Sequence, residues 1–136
     1  KEAPIFRRGQ ARQGPTFREA LLVHAVARLA FGQLIDNIQT SWVKMGPQGT
    51  LRCLQAGAND LGGTLMNESI TRAAGAAFGE ELPPSEMEEL ARTVGRTSRL
   101  RTTFYGEPPQ GQKDRAFQAA PLAPLIQTPV KITRRA

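Results

Sequence analysis

The chain has 136 residues and a mass of 14.8 kDa, enough for one domain or a piece of a larger one. With 40% hydrophobic and 22% charged residues it can build a core, which excludes wholesale disorder. The net charge of +6 sits at the ends: residues 1–18 carry +4, residues 107–136 carry +3, and the middle carries −1.

No apolar run approaches the ~20 residues needed to cross a bilayer. The first ten residues, KEAPIFRRGQ, lack the apolar stretch of a signal peptide, so a cytoplasmic location is expected. The single cysteine, Cys53, excludes an internal disulfide framework. It also excludes a zinc or iron–sulfur site built from this chain's thiolates alone.

Residues 1–15 hold two prolines, two glycines and a basic cluster, and read as a loop. Thr16 and Glu19 form a capping box, which predicts a helix from that point. The run that follows, EALLVHAVARLAF, is apolar almost all round. Such a helix must be covered, and the cover is expected from chain outside this sequence.

Residues 36–43 are β-branched and aromatic and read as a strand. A short helix is predicted after Gly46-Pro47, with Gly57 as its stop. Residues 58–63 read as a second strand, and residues 67–78 as a helix capped by Asn67. Residues 85–95 carry a second capping box, Ser85 with Glu88, and an apolar stripe of Met87, Leu90, Ala91 and Val94. Residues 99–105 read as extended, and the Pro-rich residues 107–136 as a flexible basic tail. Strands alternating with helices argue for parallel α/β construction, but two or three strands cannot close a covered sheet. The fold expected is therefore the incomplete part of a larger α/β domain, with residues 1–106 ordered.

In parallel α/β folds, ligands bind at the C-terminal ends of strands. The densest polar cluster lies at such an end: Asn59, Asp60, Thr64, Asn67 and Glu68 around Gly62-Gly63. Paired glycines let a backbone approach a ligand, and the carboxylates suit an ammonium or proton transfer. The other strand offers Gln39 and Ser41 on one face, Thr40 and Trp42 on the opposite one. His24 lies in the apolar helix without partners and reads as a surface or inter-helix side chain. Cys53 reads as a small buried hydrophobe. A different class, a basic module touching RNA through its termini, is disfavoured by the charge partition and by the lack of interleaved aromatics.

The stretch NIQTSWVKMGPQGTLRCLQAGANDLGGTLMNESITRAAGA closely resembles the C-terminal part of the deazaflavin (FO) synthase family, in its tyrosine-using radical S-adenosylmethionine unit. APIFRRGQARQGPTFREALLVHAVARLA and RTTFYG resemble it too. The aminofutalosine-type radical enzymes share a looser version of the strand-end motif. The resemblance implies a (β/α) TIM-type barrel of which this chain is the last part. It implies a transferase joining the hydroxybenzyl group of tyrosine to 5-amino-6-ribitylaminouracil. A [4Fe–4S] cluster and S-adenosylmethionine are the implied cofactors. The family's CxxxCxxC cluster motif is not in this chain, so the chain alone is expected to be inactive. Tyrosine, the aminouracil and the rest of the barrel are the implied partners, with no nucleic acid and no membrane. Within such a barrel, position at the strand ends, rather than any family assignment, gives the expected substrate-binding set: Gln39, Ser41, Asn59, Asp60, Gly62, Gly63, Thr64, Asn67 and Glu68.

Overall fold

A computed structural model describes residues 4–12, 14–64, 70, 78–79 and 81–120. Five helices are named here in chain order: α1 Pro4–Arg7, α2 Phe17–Phe31, α3 Trp42–Gln55, α4 Pro84–Thr93 and α5 Gln110–Phe117. Among the described residues there is no strand. The two expected strands meet only at one parallel bridge between Gln39 and Asp60. There Asn59 N–H donates to the Ile38 carbonyl at 3.0 Å, and Thr40 N–H donates to the Asp60 carbonyl at 2.9 Å. No described helix is long and apolar enough to cross a membrane.

The start of α2 is as the capping box predicts. Thr16 N–H donates to the Glu19 carboxylate at 2.7 Å, and Glu19 N–H donates to the Thr16 hydroxyl at 3.2 Å. The Thr16 backbone bond, with Arg12 beside it, holds the Glu19 carboxyl at about 2, well below its ordinary value. A depressed pKa means that the stabilisation is complete above the ordinary carboxylate range and is lost as pH falls towards 2. The helical circular-dichroism signal should therefore decline between pH 5 and 2, and Glu19→Gln, which keeps an acceptor but cannot ionise, should flatten part of that decline. An unaltered acid profile in the variant would refute the assignment.

The cover for α2 is not found among the described residues. None of its residues is buried, and Val23 and Leu29 are 66% and 87% exposed. Its inner side meets α3 through Leu21, which packs against Cys53, Leu54 and Ala58.

α3 differs from expectation at its start. Trp42 and Val43 were expected in a strand, but they open a helix that turns at Gly46 and resumes at Pro47. A proline disfavours α conformation in the residue before it, and Gly46 accepts the break with φ 67° and ψ 173°. The buried set on α3 then recurs at helical spacing: Trp42, Gly46, Gly49, Thr50, Cys53 and Leu54. α3 is the central element, with α2 on one side and α4 on the other. Trp42 and Val43 form a core with Leu82 and Met87, and Leu61 joins this core to the one around Cys53.

On α4 the apolar stripe is as expected, with Met87 and Ala91 buried and Leu90 and Val94 packed on the two cores. The expected Ser85 cap is not used. Pro83 stands at the N-cap and Pro84 begins the helix, because proline's fixed φ suits a first turn whose N–H groups have no helical partner. Residues 1–15, expected as loop, contain the single turn α1. Residues 99–105, expected as extended, fold into a closed turn in which Tyr105 N–H donates to the Thr102 carbonyl at 3.1 Å. Residues 110–117, expected to be part of an unstructured tail, form α5, which touches α4. The helix expected at 67–78 and the tail from 121 lie largely or wholly outside the described residues.

Candidate functional site

The Gln39–Asp60 bridge delivers residues 59–64 into a cleft of about 980 Å3. α4 forms one wall, through Met87 and Glu88, and the turn carrying Arg101 and Tyr105 forms another. Asp60, Gly62, Gly63 and Thr64 all line it.

Asp60 is buried, and among the described residues its carboxylate is held by three donors. Gly62 N–H donates to Oδ1 at 2.8 Å. Arg101 Nη2 donates to Oδ2 at 2.7 Å, and the Tyr105 hydroxyl donates to the same oxygen at 3.0 Å. The Arg101 guanidinium also lies over the Tyr105 ring, 4.3 Å from its centroid. The hydrogen bond to Asp60 pushes the Tyr105 phenol up from its ordinary value. A raised phenol pKa means that the O–H donor persists into more alkaline solution than a free tyrosine allows.

Gly62 has φ +77°, and a Cβ there would lie 2.8 Å from Gln39 Nε2, so the Gln39 side chain lies across the strand end. Gly63 offers its carbonyl to Trp42 Nε1 at 3.0 Å, which ties the glycine pair to α3. Ser41 stands at the N-cap of α3, with no side-chain cap bond, and lies outside the cleft lining. Asn59 has its carboxamide wholly engaged. Its oxygen accepts from Ile38 N–H and Arg28 Nη2, both at 2.8 Å, and its nitrogen donates to Asp36 and Asn37 oxygens. Asn67 and Glu68 lie outside the described residues.

Arg101 and Tyr105 were absent from the expected site. They stand more than 40 positions after Asp60, and the only sequence signal for them is the RTTFYG stretch itself. His24 lies in the seam between α2 and α3. Its Nδ1 is 2.7 Å from the Ala20 carbonyl and 3.9 Å from Cys53 Sγ. Cys53 is fully buried, so it packs as a core residue and offers no accessible thiolate. Among the described residues no group of three or more His, Cys, Asp or Glu side chains is placed to hold a metal ion. These residues do not fit an iron–sulfur cluster.

The family model for the CofH/MqnC C-terminal region matches residues 5–113. A 5-amino-6-(D-ribitylamino)uracil–L-tyrosine 4-hydroxyphenyl transferase of Methanopyrus kandleri is 58% identical over 103 residues, covering 76% of this chain and 28% of that protein. FO synthases of Nocardia farcinica and Streptomyces avermitilis are 52% and 48% identical, over 78% and 87% of this chain and 12% and 14% of theirs. The chain thus spans less than a third of the length of these relatives. No solved structure matches it. With the match running through α1 to the start of α5 and including the Asp60 cleft, the chain belongs to the CofH/MqnC C-terminal region family.

Proposed function

We propose that this chain is the C-terminal part of an FO synthase, within a radical S-adenosylmethionine transferase that joins tyrosine to 5-amino-6-ribitylaminouracil. The high identity to the Methanopyrus transferase supports this most directly. In this reading the chain completes a (β/α) barrel in the cytoplasm, and the Gln39–Asp60 bridge belongs to its last strands. The exposed apolar side of α2 is where the rest of the barrel packs. The cluster and S-adenosylmethionine are held elsewhere in the enzyme, and this chain alone does not turn over.

The role of this chain is to bind and orient substrate. Asp60, Gly62, Gly63 and Thr64 line the cleft, Gln39 lies against Gly62 beside it with Ser41 two residues on at the start of α3, and Asn59 ties the 59–64 segment to the 36–38 loop. By sequence position alone, just after Thr64, Asn67 and Glu68 belong to the same proposed set. The tyrosine ammonium and the ribityl hydroxyls need such partners, because a buried polar group left unpaired costs ~1–3 kcal/mol.

In the complete enzyme, Asp60→Ala should lower turnover at least ~10-fold, or ~1.4 kcal/mol. His24→Ala, in the α2–α3 seam, should leave it within about two-fold. The assay is anaerobic product formation from the two substrates, with thermal melting as a control for folding. Damage by His24→Ala alone would show that the site lies on another face.

A further inference from the structure

The Asp60 carboxylate has more partners than its burial requires. Arg101 alone neutralises it at 2.7 Å, yet Tyr105 adds a second bond to the same oxygen. That second bond is built on unusual backbone. Tyr105 has φ 61°, and it is the one non-glycine residue with positive φ among the described residues. A bulky aromatic seldom adopts this conformation, and such outliers collect at functional sites. The turn around it is closed on both sides. Tyr105 N–H donates to the Thr102 carbonyl, and Thr102 N–H donates to the Gly106 carbonyl at 2.9 Å. Gly106 N–H donates to the Thr102 hydroxyl at 3.1 Å. The turn therefore holds the phenol on Asp60.

A carboxylate has about four acceptor positions, two on each oxygen. Arg101 and Tyr105 take both positions on Oδ2, and Gly62 N–H takes one on Oδ1. Among the described residues one position remains, on Oδ1, in a residue that lines the cleft. We propose that Tyr105, acting with Arg101, is a positioning residue: their joint hold on Oδ2 fixes the Asp60 carboxylate so that Oδ1 directs its remaining acceptor position at an amine or hydroxyl group of a bound substrate. This rests on the reading of Asp60 as a substrate-binding residue. It adds to that reading a defined acceptor atom, a required donor on the ligand, and two residues from the 99–106 segment. In this role Tyr105 acts through the Asp60 carboxylate. Its phenol is protonated near neutral pH as in any tyrosine, and the hydrogen bond to Asp60 pushes its pKa further up.

The test uses the complete enzyme and Tyr105→Phe, which removes only the hydroxyl and keeps the ring beneath Arg101. KM is measured separately for tyrosine and for the aminouracil, in the wild-type and Asp60→Ala backgrounds. The expected result is a rise of about ten-fold in KM for one substrate, with kcat within about two-fold. The substrate affected is then the one whose amine or hydroxyl meets Oδ1. On the Asp60→Ala background the same substitution should have no further effect, because the residue it acts through is gone. Unchanged KM values, a rise in both, a loss confined to kcat, or a full effect on the Asp60→Ala background would each overturn the proposal. Wild-type rates for Asp60→Ala would instead remove the site reading beneath it, whereas a damaging Asp60→Ala beside a silent Tyr105→Phe removes only the role of Tyr105.

Discussion

Gly46→Ala should destabilise the protein by about 2–5 kcal/mol, through two independent costs. The first is conformational. Gly46 adopts φ 67° and ψ 173°, a region open almost only to glycine. The second is steric. A Cβ at this position would lie 2.6–2.8 Å from three carbons of the Phe78 ring. Gly46 is buried at the turn between the two halves of α3, so neither half can shift without moving Trp42 and Val43 in one core or Cys53 and Leu54 in the other. Two controls separate the costs. Gly95 also has a positive φ, +71°, but a Cβ there meets nothing within 4 Å. Gly95→Ala should therefore cost about 1–2 kcal/mol from backbone strain alone. Gly63 has neither problem, and Gly63→Ala should cost within ~0.5 kcal/mol. Urea unfolding of the three variants should rank them in that order. An equal loss for Gly46→Ala and Gly95→Ala would mean that Phe78 yields freely.

That same turn shows what was legible in the sequence. Gly46-Pro47 marked a helix start, and the second half of α3 does begin there. Trp42 and Val43, read as strand by their side-chain type, are helical, because β propensity largely reports packing context and here the context is the Leu82–Met87 core. The capping box at Thr16 was fully legible, since both of its partners lie within four residues. The Ser85 box has the same spelling and is unused, because two prolines immediately before it set the first turn. At these two boxes, then, the local signal held in the first and was set aside where two prolines preceded it. The polar cluster at 59–64 was legible as a site, but the donors that hold Asp60 were not, because Arg101 and Tyr105 are brought there by the fold. Nor does a strand pattern reveal which polar side chains are already taken. Asn59 and Asp60 are adjacent, polar and both line the cleft, yet the Asn59 carboxamide is taken by Arg28 and the 36–38 segment while Asp60 is held by Arg101 and Tyr105.

Arg28→Ala should cost about 2–4 kcal/mol, because Arg28 bonds to three segments at once and its loss leaves their carbonyl and carboxamide acceptors short of a donor. Its Nε donates to the Gly57 carbonyl at 2.8 Å, and its Nη2 donates to Asn59 Oδ1 at 2.8 Å. Both terminal nitrogens reach the Asp36 carbonyl at 3.3 Å. The stem packs on Gly57, where a Cβ would lie 2.6 Å from Arg28 Cβ. One side chain from α2 thus satisfies the end of α3, the loop at 35–36 and the residue before Asp60. A planar fork with five N–H donors does this, and a lysine cannot, so Arg28→Lys should recover less than half of the loss. The effect should reach the cleft as well. Asn59 pairs with Ile38 beside the Gln39–Asp60 bridge, so releasing it loosens the register that delivers Asp60. Because Arg28 and Asn59 share one hydrogen bond and the same loop, their alanine substitutions should be sub-additive, with a coupling of about 0.5–3 kcal/mol in a double-mutant cycle read by urea unfolding. Strict additivity would mean that the two side chains hold the strand end separately, and that the clasp is a coincidence of neighbouring contacts.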